Sequence, residues 1–280
     1  METKVFFIVL IASVLHALWN SMVKKHEDKV VAVSGVVFGH VPLSILAIII
    51  FPLPNKEVIP YIIISALIHQ GYQWYLLTSY QYGDFTKVYP IARGFGPIVA
   101  TVISITFLGA LLNFFNILSI TLVSIGIIFI GLFNLQKINN FKTIKYSLIT
   151  GLFIGLYSLV DGYGARLNNS AISYISYSFL LSAIIFPITL KIKKQNNIFR
   201  RVINKGKMIF WFGGSISYIV YTIVVWGFTK ASIPMVSALR ETSILFAIFI
   251  GLFYLREKIN FIKVISITLI FCGIIGLKLF

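Results

Sequence analysis

Apolar residues in this chain fall in long unbroken stretches, each near the roughly 20 residues a helix needs to cross a bilayer core. Ten such stretches are predicted as helices, at approximately 4–23, 30–51, 58–80, 85–108, 113–134, 143–164, 170–190, 207–228, 233–255 and 260–279. No segment alternates with the period of two expected of a barrel strand. Helices also satisfy every backbone polar group inside lipid. The breaks have chemical causes. "FPLPNKEVIP" from Phe51 to Pro60 carries three prolines and a charge pair, and "KKHEDK" from Lys24 to Lys29 is too polar to bury. Lys191–Lys207 is the longest polar connector. The first stretch runs on into His16, Trp19 and Asn20 without a small-x-small cleavage pattern, so it reads as a first span and not as a removed leader.

Composition agrees with a membrane protein. The chain is 58% hydrophobic and 11% charged, with a mean hydropathy of +0.93, whereas soluble domains carry about 25% charged residues. The net charge of +16 is distributed unevenly. Seventeen of the 24 Lys and Arg lie in connectors that follow odd-numbered spans, and five lie at the termini and in the even-numbered connectors. By the positive-inside rule the odd connectors are cytoplasmic, both termini are external, and the protein is a multi-pass resident of the inner or plasma membrane. That pattern accounts for the basic excess without nucleic acid. The single cysteine, Cys272, permits no internal disulfide and no thiol metal cluster.

The two cations left over, Arg93 and Arg240, lie inside spans and are 147 residues apart. The same offset lays Phe107–Phe129 over Tyr254–Gly276 with ten of 23 positions identical, including Asn113 over Asn260 and the run Ser119–Leu122 over Ser266–Leu269. The chain therefore reads as a duplication, with units at 1–134 and 142–280. Five spans per unit is an odd number, so the second copy enters the membrane from the opposite face. The expected fold is an all-α polytopic membrane protein of ten transmembrane helices in two inverted five-helix repeats, an architecture that places a site at the repeat interface. A duplication that serves stability alone is the other reading.

"HALWN" at His16–Asn20, "YSLVDGYGAR" at Tyr157–Arg166, and a Gly/Pro-bearing fourth span in each unit leading to "FLG" and "YLREK" carry a family resemblance. Along its whole length the chain resembles the EamA-domain branch of the drug/metabolite transporter superfamily. The resemblance implies a ten-helix transporter of small molecules and leaves the solute open among amino acids, other metabolites and drug-like cations. The family often has an acidic residue at the end of each fourth span; Glu257 matches it in the second unit, whereas Ala110 stands there in the first.

Ionisable groups within lipid-embedded helices are costly and mark a pathway by default. Arg93 and Arg240 lie about 10–12 Å into their helices at ~1.5 Å per residue. They can snorkel to the interface. Alternatively, since a helix N-terminus disfavours a cation, they are placed to meet an anion, one leaning in from each side of the membrane, with the guanidinium fork suited to a carboxylate or phosphonate. Asp161 and Glu241 balance the two arginines in charge. Either these carboxylates form structural ion pairs, for instance Asp161 with Arg240, or one of them binds a proton or a solute amine.

His16 and Asn20 share a helix face with Trp19 beside them, and His69 and Gln73 do the same ahead of Trp74. With His40 these histidines serve either as helix-to-helix hydrogen bonds or as ligands. Tyr72, Trp74, Tyr89, Tyr157, Tyr218, Tyr221 and Trp226 fall on the expected cavity-lining spans, as pocket walls or as an interfacial belt. Gly96 with Ala100, and Gly151 with Gly155, permit close helix contact; Pro97, Pro187 and Pro234 are candidate bending points. No metal-ligand pair, catalytic constellation or cofactor motif is present. The expectation is a secondary transporter of a small metabolite, an amino acid or related zwitterionic or anionic solute, with the proton as candidate coupling ion. Its partners would be the solute and membrane lipid, and it would act as a monomer or homodimer. The alternatives are an exchanger of phosphorylated or phosphonate-like solutes and a non-transporting assembly subunit.

Overall fold

The computed structural model of the chain describes residues 1–133, 140–168, 170–253 and 261–280. Among these the regular structure is helical throughout, with no strand. The helices are α1 (Thr3–Lys25), α2 (Lys29–Gly39), α3 (Val41–Ile50), α4 (Ile59–Tyr82), α5 (Phe85–Thr106), α6 (Phe114–Phe133), α7 (Asn140–Leu167) and α8 (Ala171–Ile192). There follow α9 (Ile198–Lys205), a π-helical stretch at Ile209–Gly214 running into α10 (Ser215–Lys230), α11 (Ile233–Glu241), α12 (Ser243–Phe253) and α13 (Phe261–Leu279).

Among the described residues, eight helical stretches are long and apolar enough to cross a membrane. The fold is that of a multi-pass membrane protein. Of the other predicted spans, α4 is 24 residues long but carries His69, Gln70 and Gln73 in mid-helix. The ninth span is divided at Thr242 into α11 and α12, and the second at His40 into α2 and α3. Sequence pattern read both as continuous, although each break carries a local signal: Pro42 follows His40 in the first turn of α3, and the ninth span breaks within the polar run Arg240–Ser243. The long polar connector also hides a helix: in α9, Ile198 and Val202 share one face and bury against Val31 of α2. Pro97 and Pro187 lie inside α5 and α8, whereas Pro234 sits in the first turn of α11, where it starts the helix. The readings placed on Asn134, Lys137, Tyr254, Arg256, Glu257, Lys258 and Asn260 lie outside the described residues.

Connectors gather at two ends of the bundle. At one end, His26 Nε2 meets the Lys205 carbonyl at 3.1 Å, Arg201 pairs with Asp28, and Thr143 donates to the Tyr82 carbonyl. At the other, Asn55 donates to Leu167 O, Arg166 to Phe228 O, and Lys278 to Thr3 Oγ1. Among the described residues the first connector thus touches the seventh and the third the fifth, while the second touches the sixth, the sixth the eighth, and one terminus the other.

Lipid tails are as apolar as leucine, so helices in a membrane associate through close packing and not through a hydrophobic drive. Two seams show how close the approach is. A Cβ at Gly151 on α7 would stand 2.6 Å from the Ala92 carbonyl of α5, and one at Gly155 would stand 2.9 Å from that of Gly96. The second seam is reciprocal. A Cβ at Gly126 on α6 would meet Ile270 and the Ser266 carbonyl of α13 at 2.9 and 3.0 Å; one at Gly273 on α13 would meet Val123 and the Ser119 carbonyl of α6 at 2.6 and 2.8 Å. Each α6 residue and its α13 counterpart are 147 positions apart (273 − 126, 270 − 123, 266 − 119).

Two predictions follow from this packing. Gly273→Leu forces backbone apart and should cost on the order of 1–3 kcal/mol, the usual range for overpacking. The readout is the thermal midpoint in detergent, and an unchanged midpoint contradicts the seam. The second concerns Asp28, which caps α2 by accepting from Val30 N and Val31 N. Burial raises its carboxyl, but the Arg201 bond and the two backbone donors outweigh that and hold it below the ordinary value. A depressed carboxylate stabilises fully above its unfolded pKa of about 4 and loses that contribution as pH falls through its folded value. The stability gap between the wild type and Asp28→Asn should therefore be constant above about pH 5 and shrink in acid.

Candidate functional site

A cavity of about 100 Å³ lies within the bundle. From α1 it takes His16, Trp19, Asn20 and Val23, and from α4 His69, Tyr72, Gln73, Leu76 and Tyr80. Both sets follow the i, i+3, i+4, i+7 spacing of a single helix face. Phe85, Tyr89 and Arg93 of α5, Tyr157 of α7, Tyr221 of α10 and Arg240 of α11 complete most of the wall. These positions fall in the later parts of α1 and α4 and the earlier part of α5, so the cavity occupies the half of the bundle nearer the odd-numbered connectors.

At its floor the two arginines meet one carboxylate oxygen. Glu241 Oε1 accepts from Arg93 Nη1 at 3.1 Å and from Arg240 Nε and Nη2 at 2.9 and 2.6 Å. Adjacent residues in a continuous helix point apart. Arg240 and Glu241 bond to each other where α11 ends, as Thr242 N turns back to the Leu239 carbonyl. All three side chains are buried, at 4%, 1% and 0% exposure for Arg93, Arg240 and Glu241. Snorkelling is thereby excluded. The arginines do not lean to opposite faces either; they converge.

Arg93 also gives a hydrogen bond of 2.6 Å to His16 Nε2, which places that ring's proton on Nδ1, and Tyr89 Oη lies 3.1 Å from the same nitrogen. The Arg93 guanidinium stands over the Tyr89 ring, and that of Arg240 over Tyr157 and Tyr221. Three buried polar atoms on the cavity wall have no hydrogen-bond partner among the described residues: Trp19 Nε1, Gln73 Oε1 and Arg240 Nη1. Each such atom costs about 1–3 kcal/mol when left unmade.

Asp161 belongs to a separate cluster. Its fully buried carboxylate accepts from Tyr221 at 2.5 Å and from Tyr174 at 3.1 Å, and lies 3.2 Å from His69 Nε2. The expected pair with Arg240 is therefore absent, because Glu241, next in sequence, takes that arginine. Asp161 and Glu241 both sit one layer behind the cavity wall. Trp74 and Tyr218 also fall outside the wall. Trp74 faces the Lys193 ammonium at 4.0 Å, and Tyr218 bonds Ser176 Oγ at 2.6 Å. Trp226 packs against the core instead of the cavity.

Residues 141–279 match the family model described as the EamA-like transporter family. The chain belongs to that family. No curated protein matches it. Among solved structures, one described as "Crystal structure of protein" superposes with a TM-score of 0.76 at 12% sequence identity, covering 100% of this chain and 99% of its own; it establishes likeness of fold alone.

Sequence reasoning weighed His40 only as one of three span histidines and missed several other walls of this EamA-family cavity: Val33, Val36 and Val37 from the second span, and Phe179, Ser182 and Ser217. His40, stacked on Phe179 and bonded to Ser217 Oγ, was visible as a buried histidine. Valine, phenylalanine and serine carry no such signal in a chain this apolar.

Removing one partner of a buried ion pair costs about 3–5 kcal/mol. Glu241→Gln leaves two guanidinium groups facing each other, so its thermal midpoint in detergent should fall well below that of the wild type, while Glu241→Asp should retain part of the stability. A Glu241→Gln protein as stable as the wild type would show that the carboxylate does not hold the arginines together.

Proposed function

We propose that this chain is a secondary transporter of a small solute bearing a carboxylate or similar anionic group, an amino acid or related zwitterion fitting best. The single observation behind this reading is the charge at the cavity floor: two permanent cations share one carboxylate, which leaves a net positive charge beside a partnerless Arg240 Nη1. A buried, uncompensated cation in low dielectric favours an anion strongly. Gln73 Oε1 is an acceptor on the same wall, suited to a solute N–H. The size argues for a small cargo. At about 100 Å³ the cavity is below the usual range of roughly 300–1,000 Å³ for sites that enclose drug-sized ligands, so larger solutes require it to widen.

The reciprocal α6–α13 seam supports two repeats related by a pseudo-two-fold axis, hence ten spans and alternating access, with odd connectors in the cytoplasm. Asp161 is the better coupling candidate of the two carboxylates, because it reaches the cavity through a titratable histidine, His69, whereas Glu241 is held by two arginines.

Purified protein in liposomes should exchange labelled amino acid or organic acid. Arg93→Lys and Arg240→Lys, which keep the charge but lose the fork, should each reduce uptake by tenfold or more while the proteins remain folded. No counterflow across a panel of amino acids, organic acids and phosphonates would overturn the transport reading. If Asp161→Asn leaves pH-driven uptake unchanged, Asp161 is not the proton carrier. A C-terminal reporter active only in the cytoplasm should be silent.

A further inference from the structure

Outside the solute cavity, an apolar groove of about 630 Å³ opens on the flank of the bundle. Phe38 of α2, Ile45 of α3, Ile184 of α8, Phe199 and Ile203 of α9, and Trp211 of the π-helical stretch form its surface, and Lys207 is the one charged residue that lines it. Ile45, Ile184, Phe199, Ile203 and Trp211 are all about half exposed or more. The groove runs from Lys207, in the odd-numbered connector, toward mid-helix at Ile45. From Phe38 to Ile45 it extends on the order of 10 Å along the helix axis at ~1.5 Å per residue.

One side of the groove is built by α9, and this short helix is firmly placed. Ile198 and Val202 anchor it to the bundle, and Arg201 ties it to Asp28. With Arg201 engaged inward, Arg200, Lys205 and Lys207 remain exposed at this end of the groove. No acidic residue lines it. An apolar channel that runs into the membrane and ends at a cationic rim at the interface matches one kind of ligand.

We propose that the groove is a binding site for an anionic glycerophospholipid of the leaflet facing the odd-numbered connectors, with an acyl chain along Phe38–Ile45 and the phosphate at Lys207. Chain burial alone gives no selectivity, since the surrounding bilayer is equally apolar. Preference must come from the headgroup, where each Lys or Arg near an anionic surface contributes about fivefold in affinity. The site is independent of the solute cavity: none of its lining residues is shared with it.

The test uses Trp211, which reports from inside the groove. Full-length protein is reconstituted in phosphatidylcholine–phosphatidylglycerol vesicles. Brominated acyl chains are placed on one lipid or the other at equal mole fraction, and the Trp211 signal is taken as the difference between the wild type and Trp211→Phe. Brominated phosphatidylglycerol should quench Trp211 several-fold more strongly than brominated phosphatidylcholine. Lys207→Glu should abolish that preference, with Lys207→Arg retaining it as the control for folding. Equal quenching by both lipids, or a preference unchanged in Lys207→Glu, overturns the proposal. So does quenching by neither, which would mean that protein, such as a second copy of the chain, covers the groove.

Discussion

One carboxylate oxygen organises the interior of this protein. Glu241 Oε1 holds Arg93 from the first half of the chain and Arg240 from the second; His69 with Asp161 is a second buried acid–base contact between the halves. Two guanidinium groups cannot be buried side by side without an anion between them. The anion must also be placed where two helices and a chain break coincide. Arg240 and Glu241 are the last two residues of α11, and their contact is made at its end. The cost of interrupting a membrane helix is offset locally, because Thr242 N and Thr242 Oγ1 both bond the Leu239 carbonyl.

The aromatic residues follow from the same constraint. Tyr89, Tyr157 and Tyr221 place their ring faces against the guanidinium groups, a cation–π setting worth more when desolvated. Tyr221 also turns its hydroxyl to Asp161, so one ring touches the arginine cluster on its face and the carboxylate cluster at its edge. Two oppositely charged centres are thereby kept apart by a shared tyrosine instead of neutralising each other. His69, stacked on Tyr157 and in contact with Asp161, occupies the corresponding place on the other side.

Much of this was legible in the sequence, for identifiable reasons. Helix extents were readable because lipid imposes a length and punishes polar interruption, so the edges of the apolar runs are sharp. Most of the cavity wall was readable because histidine, glutamine, arginine and tryptophan stand out against an apolar background at helical spacing. What stayed hidden depends on three-dimensional choice. Asp161 and Glu241 are both plausible partners for Arg240, and only the end of α11 decides between them. Trp74 directly follows Gln73 but points off its face, toward Lys193. The breaks at His40 and Thr242 do carry local signals, Pro42 and the run Arg240–Ser243, but each is too short to interrupt the apolar pattern of its span, and the helix in the polar connector is only eight residues long.

The seam between α6 and α13 has a consequence for how the chain can change. Its two sides are interchangeable: Gly126 rests on the residues that correspond to those beneath Gly273. A side chain added to either glycine pries apart both helices, so neither helix can drift at these positions while the other holds the contact. The rest of the two halves can diverge in length, charge and purpose, but this strip must remain a match to itself.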